Sequence, residues 1–380
     1  MPDPKLPDPV LVTRPAQLRQ AADKLRQESI VAVDTESNSL YAYYERVCLM
    51  QFSTQQTDYL VDPLALSDLS PLKPLFADPA IEKVFHAAEY DVICMKRDYG
   101  FEFNHIFDTM VAARILGREA VGLGSILEAE FGVRLDKRYQ RANWGQRPLP
   151  AHLLAYARLD THYLIPLRGK LRQALEEKEL WPLAQEDFER LRLVNGHAAE
   201  DPPPNCWRIR GANDLHPQQA AVLQELCGYR EQAARNLDRP VFKIINDQTL
   251  LDIASRLPQN MTELGRIQGM NDAQLHRHGG RLLEAVKRGL NSPPIYPPRP
   301  QKPADDFLDR LEALRRWRKR VGEQKGVNSD IILPRDLMLM LAERDPHTPD
   351  ELAVLLADVP WRRGQYGAQI LEAIQKVDEH

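Results

Sequence analysis

The sequence has little cysteine and no long apolar run. Only four cysteines occur among 380 residues, with no CxxC pair and no histidine at zinc-ligand spacing, so neither a zinc site nor a disulfide framework is indicated. We expect four reduced, buried thiols. No stretch approaches the roughly 18 apolar residues of a membrane span, and no apolar leader follows Met1. These absences predict a cytoplasmic protein that does not engage membranes.

An excess of positive charge is also missing. Fifty Lys and Arg residues against 54 Asp and Glu give a formal net charge of −4, which excludes a uniformly basic nucleic-acid-binding chain. The charge is uneven: residues 1–205 sum to −6, residues 206–300 to +4 and residues 301–380 to −2. Any polyanionic partner must therefore be held by local basic patches.

Proline, in contrast, is abundant and clustered. The chain has 29 prolines, and their runs in residues 201–210 and 292–303 cannot sustain a helix, so these segments suit extended linkers. The linkers predict three domains, at residues 1–200 (core about 10–172), 211–291 and 304–380.

The first domain alternates short β-type runs with helical periodicity. Val-, Ile- and Phe-rich runs predict strands, and amphipathic spacing predicts helices at 15–27 and 88–99. We therefore expect an α/β fold with a mixed sheet flanked by helices. The predicted strands are Ile30–Asp34, Val47–Phe52, Asp58–Val61 and Ile81–His86.

The two later domains look all-helical and resemble each other. A shift of 88 residues places Tyr229-Arg230 on Trp317-Arg318 and Pro258 on Pro346, with no gap. Two unrelated bundles that share helical periodicity are the alternative. A single offset that aligns the two segments without a gap favours a tandem duplication of one helical bundle.

Several acidic residues stand where a sheet would end. Asp34 and Glu36 follow an apolar strand two residues apart, and this spacing turns both side chains to one side of an extended chain. Asp91 follows another predicted strand, in the first turn of a helix, where dipole stabilisation is an alternative role. Tyr156 and Asp160 are four residues apart in a helical segment predicted from 152 to about 170, so they share one face.

Such carboxylates would repel one another unless cations neutralise them. Hard oxygen ligands without a Cys or His set indicate Mg²⁺ or Mn²⁺. A pair of such ions is a standard device for hydrolysing a phosphodiester. For Asp34 and Glu36 taken alone, a solvated surface charge is the alternative, and for Tyr156 and Asp160 the alternative is a core tyrosine beside a surface aspartate.

The motifs Val33-Asp34-Thr35-Glu36, His86-x4-Asp91 and Tyr156-x3-Asp160 resemble the DEDDy family of 3′–5′ exonucleases, which have a ribonuclease H-like fold. Phe107-Asp108-Thr109 and the segment up to Trp144-x-x-Arg147 resemble the ribonuclease D branch of that family. Both helical bundles are similar to the HRDC domain. One departure is Ala142-Asn143, where many relatives have a polar pair before the tryptophan, so substrate handling can differ here.

The resemblance implies roles for these residues. Asp34, Glu36 and Asp160 would hold the ion that activates water, and Asp34 with Asp91 would hold a second ion. Tyr156 would orient the water, since an ordinary tyrosine pKa near 10 makes a poor base at neutral pH. The implied activity is a metal-dependent 3′–5′ exoribonuclease that releases nucleoside 5′-monophosphates, in tRNA 3′-end maturation.

Residues 131–147 form a basic segment with interleaved aromatic residues, the pattern of single-strand binding. The candidates for substrate binding there are Arg138, Arg141, Trp144 and Arg147; His86 is a further candidate, with a near-core histidine as its alternative. The expected partner is RNA, such as a tRNA precursor with a single-stranded 3′ end, and we expect a monomer. Two other functions stay open: a DNA exonuclease of the same superfamily, and a non-catalytic RNA-binding scaffold.

Overall fold

The structure is a computed structural model that describes residues 6–196, 206–298 and 302–378. Within them the chain forms two compact units. The first contains residues 6–37, 47–196 and 303–378, and the second contains 38–46 and the described residues between 198 and 302. Each unit is described by itself.

A six-stranded mixed sheet forms the centre of the first unit, in the order β1-β4-β3-β2-β5-β6. Strand β3 is antiparallel to both β2 and β4, and the other neighbours run parallel. This confirms the expected α/β class with a mixed sheet. The strands are β1 Val10–Val12, β2 Ile30–Ser37, β3 Val47–Ser53, β4 Asp58–Val61, β5 Glu82–Phe85 and β6 Ile106–Asp108.

Helices flank this sheet, and their apolar faces complete its core. Every residue of β3 and β4 is buried, which fits strands covered on both faces. The helices are α1 Pro15–Leu25, α2 Lys73–Ala77, α3 Glu89–Tyr99, α4 Thr109–Ile115, α5 Leu123–Phe131, α6 Ala151–Ala157, α7 Leu159–His162, α8 Leu164–Glu177 and α9 Trp181–Leu193. The single helix expected from 152 to about 170 is wrong, because the chain breaks it into α6, α7 and α8.

The remaining helices form two five-helix bundles. In the second unit lie α10 Pro217–Leu237, α11 Val241–Ile244, α12 Asp247–Arg256, α13 Met261–Gly265 and α14 Asp272–Asn291. In the first unit lie α15 Asp305–Lys325, α16 Ser329–Ile332, α17 Arg335–Arg344, α18 Pro349–Leu355 and α19 Pro360–Asp378. We call them the first and the second bundle.

The two bundles keep the 88-residue offset in their structure. Helices α11 and α12 begin and end 88 residues before α16 and α17. Individual contacts follow the same register: Arg230 Nη1 donates to the Ile245 carbonyl at 3.1 Å, and Arg318 Nη1 donates to the Leu333 carbonyl at 2.8 Å. The two bundles therefore share one helical framework, as the sequence repeat predicted.

The second bundle is joined to α9 by a buried ion pair. Arg362 is fully buried, and its Nη1 lies 2.6 Å from Glu186 Oε2 and 2.8 Å from Asp187 Oδ1. Glu186 also accepts the backbone N–H of Trp361 at 2.7 Å. The guanidinium of Arg362 neutralises the two carboxylates, and Glu186 also accepts an N–H at the start of α19, so these buried polar groups have partners without water.

The cysteines depart in part from expectation. Cys48 and Cys94 are free and buried, but Cys206 and Cys227 form a disulfide, so the expectation of four reduced thiols is wrong for this pair. Their Cα atoms are 6.3 Å apart, an approach that sequence spacing does not reveal. No helix among the described residues is long and apolar enough to cross a membrane.

Arg362→Ala tests the ion pair between the second bundle and α9. Loss of the guanidinium would leave Glu186 and Asp187 without their cation, and we expect the free energy of unfolding of the first unit to fall by about 3–5 kcal/mol in urea titrations. Gln274→Ala, measured by the unfolding of the second unit, is the control, because Gln274 lies 88 residues earlier and makes the equivalent bond to the Ile244 carbonyl without an ion pair. Equal losses in both variants would contradict the ion pair's role.

Candidate active site

Three carboxylates converge at the end of β2. The buried run Val31 to Val33 fixes the strand in the sheet, and the side chains of Asp34 and Glu36 follow it on one side. Helix α7 brings Asp160 to the same place, and one oxygen from each of the three residues lies within 4.8 Å of the others. The spacing of two residues therefore produces the shared face that the sequence predicted.

Asp91 joins this group through Thr35. It lies in the first turn of α3, is 6% exposed, and accepts a hydrogen bond from the Thr35 hydroxyl. Strand β5 pairs with β2 only over Ile30–Ala32, so Thr35 lies beyond the last parallel pair. Sequence reasoning missed Thr35, because strand alternation turns it away from Asp34 and Glu36 and gives no sign of its contact.

Burial raises the pKa of all four carboxyls, and the charges of neighbouring site acids raise the pKa of Asp34 and Glu36 further. Burial is the larger cause for Asp34, followed by the charges of Asp91, Asp160 and Glu36, and its pKa lies well above the ordinary range. Glu36 is raised in the same way, by burial and then by Asp160 and Asp91. Burial also raises the pKa of Asp91 to about 7 and that of Asp160 to about 8. The folded chain therefore favours either protons or cations at this site.

The donor set fits a hard divalent cation. The neighbouring charges that act on Asp34 are all carboxylates, and carboxylate oxygens are the ligands that Mg²⁺ and Mn²⁺ prefer. Gln51 lies opposite Asp34 in the antiparallel pair of β2 and β3, and it is fully buried. Neither polar atom of its side chain has a hydrogen-bond partner among the described residues, so a buried amide group remains available on the strand next to Asp34.

Tyr156 stands beside the acids on α6. It is 6% exposed and hydrogen-bonded to Asp160, and burial followed by the charge of Asp160 raises its pKa above the ordinary value for a phenol. The phenol is therefore the donor to Asp160 at neutral pH. Tyr156 and Asp160 meet as expected, although they belong to two helices and not to one.

Asp108 organises the turn that carries Asp91. It is 1% exposed, and its carboxylate accepts the backbone N–H groups of Ala87 at 3.1 Å and Ala88 at 2.7 Å, just before α3. The same carboxylate caps α4 by accepting two further N–H groups. Ala87 has a φ of 64°, a left-handed conformation that is unfavourable for alanine and that these bonds stabilise. One buried side chain thus fixes the starts of two helices beside the site.

His86 follows β5 and is half-buried. Its Nδ1 lies 2.9 Å from the Thr109 hydroxyl, which donates its own hydrogen to the Phe85 carbonyl at 3.0 Å. The ring nitrogen therefore donates to Thr109, which leaves Nε2 as an acceptor in the neutral ring. Burial lowers the pKa of His86, so the neutral ring prevails at pH 7.

The basic segment separates into surface and structural residues. Arg138 is 83% exposed on its side chain and pairs with Asp136, and Arg141 is exposed. Trp144 is 1% exposed and packs against Tyr156 at 6.3 Å between ring centres, so its ring lies in the core, and its expected contact with substrate stays a prediction. The apolar ring is worth more in the core than in solvent.

Arg147 is occupied by the protein itself. Its guanidinium donates to both carboxylate oxygens of Asp62 at 2.7 Å and to the carbonyls of Cys48, Trp144 and Gln146. These bonds anchor the segment onto β3 and onto Asp62, the residue that follows β4. The donors of Arg147 that could hold a phosphate are thus used within the protein, and its expected role in substrate binding stays a prediction.

The sequence of this chain matches known protein families and curated relatives. A family model described as 3′–5′ exonuclease matches residues 9–176, and the model of the HRDC domain matches residues 219–286 and 307–374. Ribonuclease D of Pseudomonas paraeruginosa (strain DSM 24068 / PA7) is 31% identical over 368 residues, which cover 95% of this chain and 96% of that protein. The chain belongs to the ribonuclease D family.

Solved structures agree with the ribonuclease D family. The crystal structure of Escherichia coli RNase D, described as an exoribonuclease involved in structured RNA processing, has a TM-score of 0.70 at 25% identity and covers 97% of this chain and 99% of its own. A protein from Bifidobacterium adolescentis has a TM-score of 0.82 at 22% identity, with 99% of both chains covered, which shows the shared fold.

Membership of the ribonuclease D family makes this chain a hydrolytic 3′–5′ exoribonuclease of a metal-dependent family. The two similar bundles are HRDC domains, and their matches begin 88 residues apart, at 219 and 307. The comparisons support the exoribonuclease over the two other functions considered, a DNA exonuclease and a non-catalytic scaffold.

The raised carboxyl pKa values predict the pH dependence of stability without metal. The folded chain holds protons that the unfolded chain has lost, so stability present at low pH declines as pH rises through about 7 and about 8. In EDTA, we expect the melting temperature to fall from about pH 6 to about pH 9. Divalent cations should raise it most at the higher pH.

The variant Asp34→Asn tests whether repulsion among the acids causes this pH dependence of the melting temperature. Removal of one charge from the group should raise the melting temperature in EDTA at high pH and remove most of the gain from cations. Glu189→Gln, an exposed acid on α9, should melt like the unchanged chain. If Asp34→Asn shows the same pH dependence as the unchanged chain, the repulsion among the acids is not its cause.

Asp108→Asn tests the carboxylate that fixes the turn before α3. The amide keeps one acceptor oxygen in place of two, so the turn that carries Asp91 loosens. We expect about 10- to 100-fold lower activity together with a higher Mn²⁺ concentration for half-maximal rate. Asp68→Asn is the matched control, since the exposed Asp68 also accepts backbone and side-chain bonds from Ser70. An unchanged metal requirement in Asp108→Asn would contradict the positioning role.

Proposed function

We propose that this chain trims the 3′ ends of structured RNAs, such as tRNA precursors, by hydrolysis at the acidic site with two divalent cations. The single observation that supports the proposal is the approach of Asp34, Glu36 and Asp160 within 4.8 Å, with Asp91 linked through Thr35. The products would be nucleoside 5′-monophosphates.

The four acids would share the metal-binding work. Asp34, Glu36 and Asp160 would hold one Mg²⁺ or Mn²⁺, and Asp34 with Asp91 would hold a second. Bound cations would lower the pKa of a coordinated water and neutralise charge on the phosphate. Raised carboxyl pKa values support this assignment, because such a site loses repulsion when it binds cations.

Tyr156 would orient the attacking water and would not remove its proton. A raised pKa keeps its phenol protonated at neutral pH, so the group can donate a hydrogen bond but is a poor base. Its packing against Tyr139, at 5.5 Å between ring centres, and against Trp144 holds the hydroxyl in place. Trp144 thus supports the site from within the core.

His86, Arg138 and Arg141 would contact the substrate. His86 offers an acceptor nitrogen to a ribose hydroxyl, and the two arginines are exposed where they can meet phosphates. The name of the E. coli structure, which speaks of structured RNA processing, supports this substrate class. We further propose that the chain acts as a monomer in the cytoplasm.

Incubation of a 3′-end-labelled tRNA precursor with the full chain tests this function. With Mg²⁺ or Mn²⁺ we expect release of labelled 5′-mononucleotide, and with EDTA or in Asp34→Asn we expect none. Glu189→Gln should act like the unchanged chain. Failure to release mononucleotides with either metal, or full activity of Asp34→Asn, would disprove the assignment.

A second experiment tests whether the chain prefers RNA or DNA as its substrate. Single-stranded RNA and DNA of equal sequence should be degraded at different rates, with RNA the faster. Faster degradation of DNA would replace the proposed function with that of a DNA exonuclease.

A further inference from the structure

The helix that carries Asp160 is too short to fix its own orientation. Helix α7 is a single turn of four residues, and the chain breaks before it at Arg158 and after it at Tyr163. A turn of this length gains little from its own hydrogen bonds, since nucleation fixes several residues for one bond. The placement of the Asp160 carboxylate therefore depends on the contacts that hold α7 from outside.

A pair of hydroxyls joins α7 to the sheet. Thr161, next to Asp160, is fully buried, and its hydroxyl oxygen lies 2.7 Å from that of Ser53 at the end of β3. Ser53 donates its only hydroxyl hydrogen to Asp58 Oδ1 at 2.7 Å. Thr161 must therefore donate to Ser53, so the bonds run in one direction, from α7 through β3 to the carboxylate at the start of β4.

Asp58 also holds the two basic residues on either side of Asp160. His162 Nδ1 lies 3.0 Å from both oxygens of the Asp58 carboxylate, which in its ionised form can only accept, so Nδ1 carries the hydrogen. Arg158 is buried, with Nε 3.9 Å from Asp58 Oδ2 and Nη1 donating to the Pro7 carbonyl at 2.6 Å. One carboxylate, 6% exposed, thus meets a group from each end of α7.

Asp58 is separate from the acids that would hold metal. The three carboxylates with oxygens within 4.8 Å of one another do not include it. Burial raises the pKa of Asp160 and the bond from Tyr156 lowers it, with no contribution from the charge of Arg158. The guanidinium two residues before Asp160 is therefore held by Asp58, which leaves the charge of Asp160 to be neutralised by a cation.

We propose that Asp58 is a positioning residue, which fixes α7 so that the Asp160 carboxylate stays with the other acids at one cation. It acts through the Ser53 and Thr161 hydroxyls and through His162, and it contacts neither metal nor RNA. The proposal rests on the proposed function, because it explains how one of that function's metal ligands is oriented. Loss of such a partner of a ligand typically weakens metal binding about 10- to 100-fold.

Thr161→Val tests the pair of hydroxyls with little change in side-chain volume. We expect the dissociation constant for Mn²⁺, measured without RNA from the electron paramagnetic resonance of free Mn²⁺, to rise about tenfold. Thr161→Ser keeps the hydroxyl and should restore most of the affinity. Thr249→Val is the matched control, because Thr249 is also buried and donates to the Gln268 carbonyl at 2.9 Å, but belongs to the second unit.

Asp58→Asn tests the carboxylate itself. The amide loses the charge that holds Arg158 and one of the oxygens that face His162, and we expect about 10- to 100-fold weaker binding of Mn²⁺. In turnover at fixed Mn²⁺, kcat should fall while KM for RNA stays unchanged, because the substitution disturbs a metal ligand and not the RNA contacts.

Hydrogen exchange in EDTA reports on α7 without metal. The peptide that contains Leu159–His162 should exchange faster in Asp58→Asn and in Thr161→Val than in the unchanged chain, and at the same rate in Thr249→Val. If Asp58→Asn does not fold, Thr161→Val and Thr161→Ser decide by themselves.

Unchanged Mn²⁺ affinity in both Asp58→Asn and Thr161→Val would overturn the proposal even if their melting temperatures fell, because the bonds would then serve stability alone. An equal loss of affinity in Thr249→Val would overturn it as well, since the effect would not be specific to α7. The same holds if Thr161→Ser binds Mn²⁺ as weakly as Thr161→Val.

The variant Asp34→Asn separates this proposal from the proposed function. If Asp34→Asn binds Mn²⁺ like the unchanged chain, the proposed metal site fails, and faster exchange of α7 in Asp58→Asn would still support the role of that carboxylate in fixing the helix. If Asp34→Asn loses Mn²⁺ while Asp58→Asn and Thr161→Val keep it, only the positioning role fails.

Discussion

Repulsion among four carboxylates gathered in a partly buried site is the constraint on which the rest of the site depends. Burial raises the pKa of each acid, and the charges of Asp91, Asp160 and Glu36 raise that of Asp34 further. Because these carboxylates repel one another, other contacts of the fold must hold them in place. The buried run of β2, the Thr35 hydrogen bond and the four N–H groups on Asp108 provide that stabilisation.

This arrangement is typical of a site that is more stable with its ligand than without it. Free energy stored in the repulsion is released when cations bind, so the same interaction that destabilises the free chain drives metal binding. Tyr156 contributes as a hydrogen-bond donor to Asp160, and its pKa is raised by burial first and then by the negative charge of Asp160, Glu36 and Asp34. The chemistry of the ribonuclease D family thus depends on a cluster that only cations or protons can neutralise.

Duplication of the helical bundle shows how one framework serves two purposes. Corresponding helices and the bonds from Arg230 and Arg318 are preserved at an offset of 88 residues. Four positions on one side of each bundle carry different residues: Val327, Ile331, Trp361 and Arg362 in the second bundle correspond to Arg239, Lys243, Ala273 and Gln274 in the first. Interior contacts maintain the fold, whereas the surface is free to change its partner.

The sequence alone determined the α/β class, the duplicated bundles and the meeting of Asp34 with Glu36, because each follows from a local period or a fixed offset. Spacing also predicted the approach of Tyr156 to Asp160, although the helix between them breaks at Arg158. Only the tertiary structure decided that Trp144 is buried, that Arg147 holds Asp62, that Thr35 reaches Asp91 and that Cys206 approaches Cys227. These four facts depend on which distant segments pack together, and a one-dimensional pattern carries no information about distance between segments.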